Sequence, residues 1–408
     1  MKLLHTADWH LGKRLDHVSR LEEQRAVMEE ICIIAEKEEV DAVLIAGDLF
    51  DHINPSIEAT ELLYRTLKRL ASDGQRAVIG IAGNHDSPDR IEAPDPLARE
   101  CGIVLLGYPH SAVKPFALES GLAVSRSAPG FLELNLPNHQ TPLRIIATPY
   151  ANEVRLRRYL GVDKPESALR EVLEENWKTL AEQYCDEHGV NILMAHLFVM
   201  AKGTPRQEEP EDEKPILTIG GAQEIYTENL PSGIQYGAFG HLHRYQIVSD
   251  TPYPVVYSSS PLAYSMSEAG QEKGIVLIEA QAGEKVSFQK IPLREGKPLA
   301  RQTFHSIEEA IVWLKEHPSA LVELTLVSET FLNATDRKRL HQAHNGILTI
   351  IPRISDPSLT EVKQTDIDLS RNMQDLFIDY FKHKHQGQEP PEELMNLFRE
   401  ILAADPEE

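Results

Sequence analysis

Five apolar runs in this sequence each end on a short segment rich in Asp, Asn or His. The segments are Asp8-Trp9-His10, Gly47-Asp48-Leu49-Phe50-Asp51, Gly83-Asn84-His85-Asp86, His196, and Gly240-His241-Leu242-His243. The runs before them, among them Leu3-Leu4, Ala42–Ala46 and Ala77–Ala82, have the length and composition of buried strands. Helical spacing fills the gaps between the first three. Val27, Met28, Ile31, Ile34 and Ala35 follow a Ser19…Glu22 capping box, and Ala59, Leu63, Leu67 and Leu70 follow a Ser56 cap. Strand–helix–strand alternation implies right-handed crossovers and a mostly parallel sheet, hence an α/β fold. The loops beyond the carboxyl ends of such a sheet converge on one crevice. Asp8, His10, Asp48, Asn84, His196, His241 and His243 are therefore expected to meet there.

A single Asp or His at a strand end is usually a turn residue; five such ends in one chain carry a different meaning. Oxygen and imidazole ligands without thiolate suit Mn²⁺, Fe²⁺ or Zn²⁺. Seven ligands exceed what one tetrahedral ion needs. They suit two ions about 3.5–4 Å apart with a bridging carboxylate such as Asp48. Glycines before Asp48, Asn84 and His241 permit sharp turns and close backbone approach.

Further strands are expected at Leu143–Thr148, Val190–Ala195, Tyr236–Phe239, Val255–Tyr257 and Ile275–Ile278, with a long helix over Ser167–Cys185. The stretch Lys202–Pro215, rich in Glu, Pro, Gly and Lys, is assigned no structure. The first domain is expected to span 1–285. A small α+β domain over 286–360 follows, with a Ser306…Glu309 capping box, an Ile307, Ala310, Ile311, Leu314 stripe, and strands at Leu321–Val327 and Ile347–Ile351. Over 361–408 two amphipathic helices are expected. One presents Met373, Phe377, Tyr380 and Phe381; the other, opened by Pro390-Pro391, presents Leu394, Leu397, Phe398 and Ile401.

The 408 residues carry a formal net charge of −22. A chain that grips DNA unaided usually shows a basic face. The candidates are modest: Lys13-Arg14, Arg155-Leu156-Arg157-Arg158 and Arg337-Lys338-Arg339, each more often a solvated surface. Three scattered cysteines, Cys32, Cys101 and Cys185, form neither a disulfide framework nor a thiolate zinc site. Met1-Lys2-Leu3-Leu4 runs straight into His5, unlike a secretory leader, and no apolar run nears the roughly 18–20 residues of a membrane span. A cytoplasmic chain is expected.

The ordered set DxH, GDxxD, GNHD, a lone His after a strand, and GHxH resembles the calcineurin-like metallophosphoesterases. Leu4-His5-Thr6-Ala7-Asp8-Trp9-His10-Leu11-Gly12, Ala46–Asp51 and Gly240-His241-Leu242-His243-Arg244 are similar, more narrowly, to the bacterial SbcD nuclease branch. The motifs cover roughly residues 1–280. The resemblance implies a four-layer α/β/β/α sandwich with a small capping domain and C-terminal helices. It implies that Asp8, His10, Asp48 and His243 hold one metal and Asp48, Asn84, His196 and His241 the other, with Mn²⁺ favoured. His85 would touch the scissile phosphate of DNA and help the 3′ oxygen leave. Asp51 stands where archaeal relatives carry a His, and is expected to orient His85 or a ligand. Lys13, Arg14 and His52 are the expected DNA contacts. The tail residues Met373, Phe377, Tyr380, Phe381, Leu394 and Phe398 would dock on the coiled coil of an SbcC-type ABC ATPase, in an assembly with two copies of each chain. The implied activity is double-strand 3′–5′ exonuclease with endonuclease action on single strands and hairpins, in DNA repair and recombination. A small-substrate phosphodiesterase or phosphatase on the same core, and a non-catalytic DNA-end scaffold, are the alternatives.

Overall fold

The computed structural model describes residues 1–156, 165–204, 225–328, 332–354, 373–384, 389–392, 394, 395 and 398. The chain divides into two compact units, Met1–Arg301 with Ser319–Val322, and Gln302–Pro318 with Glu323–Glu408.

The larger unit is built on two sheets. The first runs Ser287–Pro292, Gly274–Glu279, Lys2–Thr6, Ala42–Ala46, Ala77–Ile81, Ile103–Leu106. Its last four strands are parallel, and the first two join antiparallel. The strands are apolar on both faces because both faces are covered. Leu4, Val43, Ile45 and Val78 meet Val27, Met28, Ile31, Leu63 and Leu67 of the helices Leu21–Lys37 and Ile57–Ala71. Their neighbours Leu3, Leu44, Ala46, Ile79 and Ile81 pack the other way, against Ile145, Ile192, Met194, Tyr236 and Ala238 of the second sheet. A Leu→Ala truncation in this layer costs about 2–5 kcal/mol.

The second sheet has eight strands, with Val255–Tyr257, Tyr236–Gly240, Val190–His196 and Leu143–Thr148 parallel at its centre. Its outer face, including Ile146, Leu193 and Phe239, packs on Leu169, Leu173 and Trp177 of the helix Pro165–Tyr184. The layers are therefore helix, sheet, sheet, helix. The two sheets meet closely where their strands end: a Cβ on Gly240 would lie 1.9 Å from the Ala46 carbonyl oxygen.

Two expectations need correction. The boundary at 285/286 moves to about Arg301, because Ser287–Pro292 adds an edge strand to the first sheet through six paired positions. Ser19 does not cap the first helix; it pairs with Arg14 in a short hairpin, and Arg20 takes the N-cap position without a side-chain cap. The antiparallel wing Phe131–Asn135, Ala123–Ala128, Phe116–Ala117 of the second sheet went unanticipated. Its polar residues, such as Ser125 and Arg126, obscure the alternation.

Further along the chain, helices Ile307–Glu316 and Ala334–Ala343 alternate with strands that form a three-stranded sheet in the order Leu299–Phe304, Leu321–Ser328, Ile347–Ile354. Ser306 caps the first helix, accepting from Glu309 N–H at 3.2 Å. The polar second helix, which buries only Leu340, carries Arg337-Lys338-Arg339, and Arg339 there pairs with Glu308 at 3.0 Å. On the helix Met373–Lys384, Phe377 stacks on Phe398 at 4.0 Å, Phe381 lies 6.3 Å from Phe377, and Tyr380 is exposed. Leu394 is half-buried. The Met373 side chain, Leu397, Ile401, Arg157, Arg158 and most of the Lys202–Pro215 stretch lie outside the described residues. No described helix is long and apolar enough to cross a membrane.

Candidate metal centre

The Asp8-Trp9-His10 turn leaves its strand with Asp8 at φ 55° and His10 at φ 43°. Asp, Asn and His tolerate this left-handed region better than most residues other than glycine. Main-chain bonds fix the turn, from Asp8 N–H to the Gly47 carbonyl (3.0 Å) and from His10 N–H to the Asp48 carbonyl (2.9 Å). Buried Gln24 donates to the His10 carbonyl at 2.7 Å and accepts from Gly12 N–H at 2.9 Å. The Tyr264 hydroxyl donates to the Trp9 carbonyl. The Trp9 ring is buried and donates to Thr6 Oγ1 at 2.9 Å, so it braces the loop from within.

The next two loops are tied together. Asp86 is fully buried and accepts from the backbone N–H groups of Leu49, Phe50 and Gly83 at 3.0, 2.9 and 2.8 Å. Burial and the neighbouring Asp48 carboxylate push its carboxyl up to about 6. Asp48 Oδ1 accepts from His85 N–H at 2.9 Å. Gly83 and Gly47 are required by space: a Cβ on Gly83 would lie 2.0 Å from Asp48 Oδ1, and one on Gly47 2.1 Å from His196 Nδ1. The guanidinium of Arg155 donates to the carbonyls of Gly83, Asn84 and Asp86 at 2.7, 3.3 and 2.8 Å. In the sequence it reads as a solvated surface that could meet phosphate; its place is as a clamp on the GNHD loop.

All seven expected ligand residues come together. His10 Nε2 lies 3.0 Å from His243 Nε2 and 3.6 Å from Asp48 Oδ2. His196 Nε2 lies 3.2 Å from Asp48 Oδ2 and 2.9 Å from Asn84 Oδ1, which is 3.1 Å from His241 Nδ1. His241 N–H donates to Asp8 Oδ1 at 2.9 Å. Three overlapping trios, Asp8, His10, His243, then Asp8, Asp48, His196, and His10, Asp51, His85, each keep one candidate ligand atom per residue within 4.8 Å of the others. Asp8 Oδ2 is buried and receives no hydrogen bond from the described residues, and buried Asp48 Oδ2 faces the imidazoles of His196 and His10 at 3.2 and 3.6 Å. Leaving a buried carboxyl oxygen so is costly, about 1–3 kcal/mol or more, and a cation held by these carboxylates would offset that cost.

The charges reflect the crowding. Burial pushes the Asp8 carboxyl up to about 7, against the pull of His196 and His243. Burial works the same way on Asp48, but the imidazoles of His196, His85 and His10 outweigh it and hold that carboxyl below the usual range. Burial lowers the His196 imidazole, yet the Asp48 and Asp8 carboxylates prevail and raise it to about 9. His5, equally buried, is lowered to about 3 and bonds Tyr236 Oη and the Phe239 carbonyl. It is a core histidine.

His85 sits beside this cluster, its ring 4.8 Å from that of His10. Its Nδ1 lies 2.8 Å from the Asp51 main-chain carbonyl. Asp51 thus orients His85 through its backbone. The Asp51 carboxylate instead pairs with Lys13 Nζ at 2.8 Å and His52 Nε2 at 3.0 Å, and stands 3.7 Å from His10 Nδ1. His52 is exposed, and Arg14 turns to the His17 carbonyl at 2.6 Å.

Gln24, Tyr264, Glu268 and Lys273 were missed in the sequence. Glu268 lies 3.3 Å from His243 Nδ1 and is bonded by Lys273. The Ser265…Glu268 spacing reads as a capping box, and is one. Nothing in that spacing points to a histidine more than twenty residues away.

The family model for calcineurin-like phosphoesterases matches residues 1–245. The chain is 35% identical over 418 residues to the SbcD component of the SbcCD nuclease of Bacillus subtilis, an alignment covering 100% of this chain and 99% of that protein. It is 34% identical to the protein of the same description from Rhodobacter capsulatus, over 74% of this chain and 71% of that one. Among solved structures, TT1561 of Thermus thermophilus aligns at TM-score 0.39 and 13% identity, covering 71% of this chain and 98% of that one. A dimetal phosphatase from Danio rerio aligns at 0.38 and 10%, with the same coverage.

Proposed function

The chain belongs to the calcineurin-like phosphoesterases and, within them, to the SbcD family, and from that premise we propose that it is a metal-dependent DNA nuclease acting with an SbcC-type ATPase. The observation that carries the reading is the convergence of seven Asp, Asn and His side chains around the buried carboxylates of Asp8 and Asp48. Asp8, His10, Asp48 and His243 would hold one divalent cation and Asp48, Asn84, His196 and His241 a second, with Asp48 shared. Cations held by these residues, Mn²⁺ foremost, would supply an activated water for in-line attack and would neutralise charge on the phosphate.

The chain's own groups do the rest. His196 donates a hydrogen bond from Nδ1–H to the Ala46 carbonyl at 2.8 Å, which sets Nε2 toward Asp48 and Asn84. Its second proton, held by the nearby carboxylates, is the positive charge that a cation would replace. His85, with Nδ1 bonded to the Asp51 carbonyl, would use Nε2 to contact the phosphate and protonate the departing 3′ oxygen. Lys13 and His52, gathered at the Asp51 carboxylate, would meet the DNA backbone beside His85, with Arg14 next to them. A net charge of −22 fits a chain whose partner supplies most phosphate contacts. The smaller unit would cap the substrate. The tail, with Phe377 stacked on Phe398 and Tyr380 exposed, would dock on the ATPase coiled coil in an assembly with two copies of each chain.

Purified protein with Mn²⁺ should degrade linear duplex DNA from its 3′ ends and cut hairpins, and Asp48→Ala should abolish both. Undiminished cleavage by Asp48→Ala would defeat the proposal, as would turnover of a nitrophenyl phosphodiester with none of DNA.

A further inference from the structure

His243 is gripped from behind by a buried ion pair that none of the five motifs contains. Its Nδ1 lies 3.3 Å from Glu268 Oε1, while its Nε2 faces His10 Nε2 at 3.0 Å. Glu268 is 2% exposed and Lys273 8%. The carboxylate is itself held rigidly: Oε1 accepts from the backbone N–H groups of Tyr264 and Ser265 at 3.1 and 3.0 Å, and Oε2 is bonded by Lys273. Lys273 Nζ also donates to the His243 carbonyl at 2.7 Å and to Ser260 Oγ at 3.0 Å. One ammonium thus fixes both the loop that carries His243 and the carboxylate that orients its ring.

We propose that Glu268 and Lys273 form a positioning pair for the candidate metal centre, resting on the proposed function of that centre. Glu268 keeps the His243 proton on Nδ1, so that Nε2 presents its lone pair to a cation. Lys273 holds Glu268 in place and cancels its charge, so the pair adds no net charge behind a centre already occupied by Asp8 and Asp48. The arrangement is selective. His243 lies in the Asp8, His10, His243 trio, whereas His196, in the Asp8, Asp48, His196 trio, turns its Nδ1 to the Ala46 main-chain carbonyl rather than to a carboxylate held as Glu268 is. A carboxylate behind an imidazole raises its basicity and fixes its tautomer, and losing such a partner typically weakens metal affinity about 10–100-fold.

The test is calorimetric titration of the metal-free full chain with Mn²⁺, beside ¹⁵N-histidine spectra of the same samples recorded before metal is added. The metal-free parent should show His243 protonated on Nδ1 and should then bind two ions. Glu268→Gln should weaken one of the two sites at least about 10-fold and leave the other unchanged, with mixed tautomers at His243. Because Glu268→Gln strands a buried ammonium and so costs folding stability, the doubly neutral Glu268→Gln/Lys273→Met variant is titrated too. It should keep the parental melting temperature more closely and still lose affinity at the same site. Parental affinity at both sites in either folded variant, or an unchanged His243 tautomer, overturns the positioning role. A parent that binds no Mn²⁺ overturns the metal centre itself, a distinct result that takes the pair's role with it.

Discussion

His85 Nδ1 lies 2.8 Å from the main-chain carbonyl of Asp51, and this fixes its tautomer: the proton sits on Nδ1, and Nε2 acts as base or, once protonated, as acid. His85→Ala is therefore expected to cut DNA hydrolysis about 10²–10⁴-fold. Mn²⁺ binding should fall far less, since it is the backbone N–H of His85 that bonds Asp48. A nuclease assay beside a calorimetric titration separates the two. Parallel loss of both would make His85 a ligand instead.

The Arg155 clamp predicts a defect at a distance. Arg155→Met removes three bonds to the carbonyls of the GNHD loop and should lower unfolding stability by about 2–3 kcal/mol. Asn84 moves with that loop, so one Mn²⁺ site should weaken more than the other. Denaturant melts and Mn²⁺ titration report the two effects. A variant as stable as the parent would show the clamp to be ornamental.

Gly47→Ala tests the closeness of the loops. Its Cβ would collide with His196 Nδ1 at 2.1 Å, and the backbone there sits at φ +97°. Overpacking should cost about 1–3 kcal/mol and break the His196 bond to Ala46, with loss of metal binding. Thermal melts with and without Mn²⁺ measure it, and the stabilisation by Mn²⁺ expected of the parent should vanish.

Metal affinity should rise with pH between about 6 and 8.5. In the metal-free chain His196 is raised to about 9 and Asp8 to about 7, so near neutrality both hold protons that the unperturbed groups would release to different extents: Asp8 would have none, and His196 little. A cation must displace them, so binding releases protons, roughly one to two near pH 7. The sign follows: a raised pKa keeps the competing proton to higher pH, weakening binding below it. Calorimetry in buffers of different ionisation enthalpy counts those protons. Affinity that is flat across this range would contradict the assignment of Asp8 and His196 as ligands.

The chemistry was more legible in the sequence than the scaffold around it. Asp8, Asp48, Asn84, His196 and His241 each follow an apolar run, and parallel strands leave their carboxyl ends only one place to meet. The helix Ile57–Ala71 was equally plain, with Ser56 capping as read. The edges were not. Ser287–Pro292 is half-buried and polar on alternate positions, like a linker, and only its register against Gly274–Glu279 makes it part of the sheet. Glu268 and Lys273 were illegible because a buried charge pair is defined by three-dimensional neighbours. The clamping role of Arg155 was illegible for the same reason: a guanidinium satisfied by carbonyls has the same sequence signature as one facing solvent or a phosphate.

Asp8, His10, Asp48 and His241 all occupy left-handed backbone with φ between 43° and 103°. Two demands thus fall on the same residues, since each must bend the chain and offer a polar atom. Asn meets the first demand as well as Asp does. A change such as Asp48→Asn would therefore disarm the enzyme while leaving its architecture standing, producing in one step a well-folded protein that can still take its place beside its partners. Asp48→Val would lose the bend and the atom together.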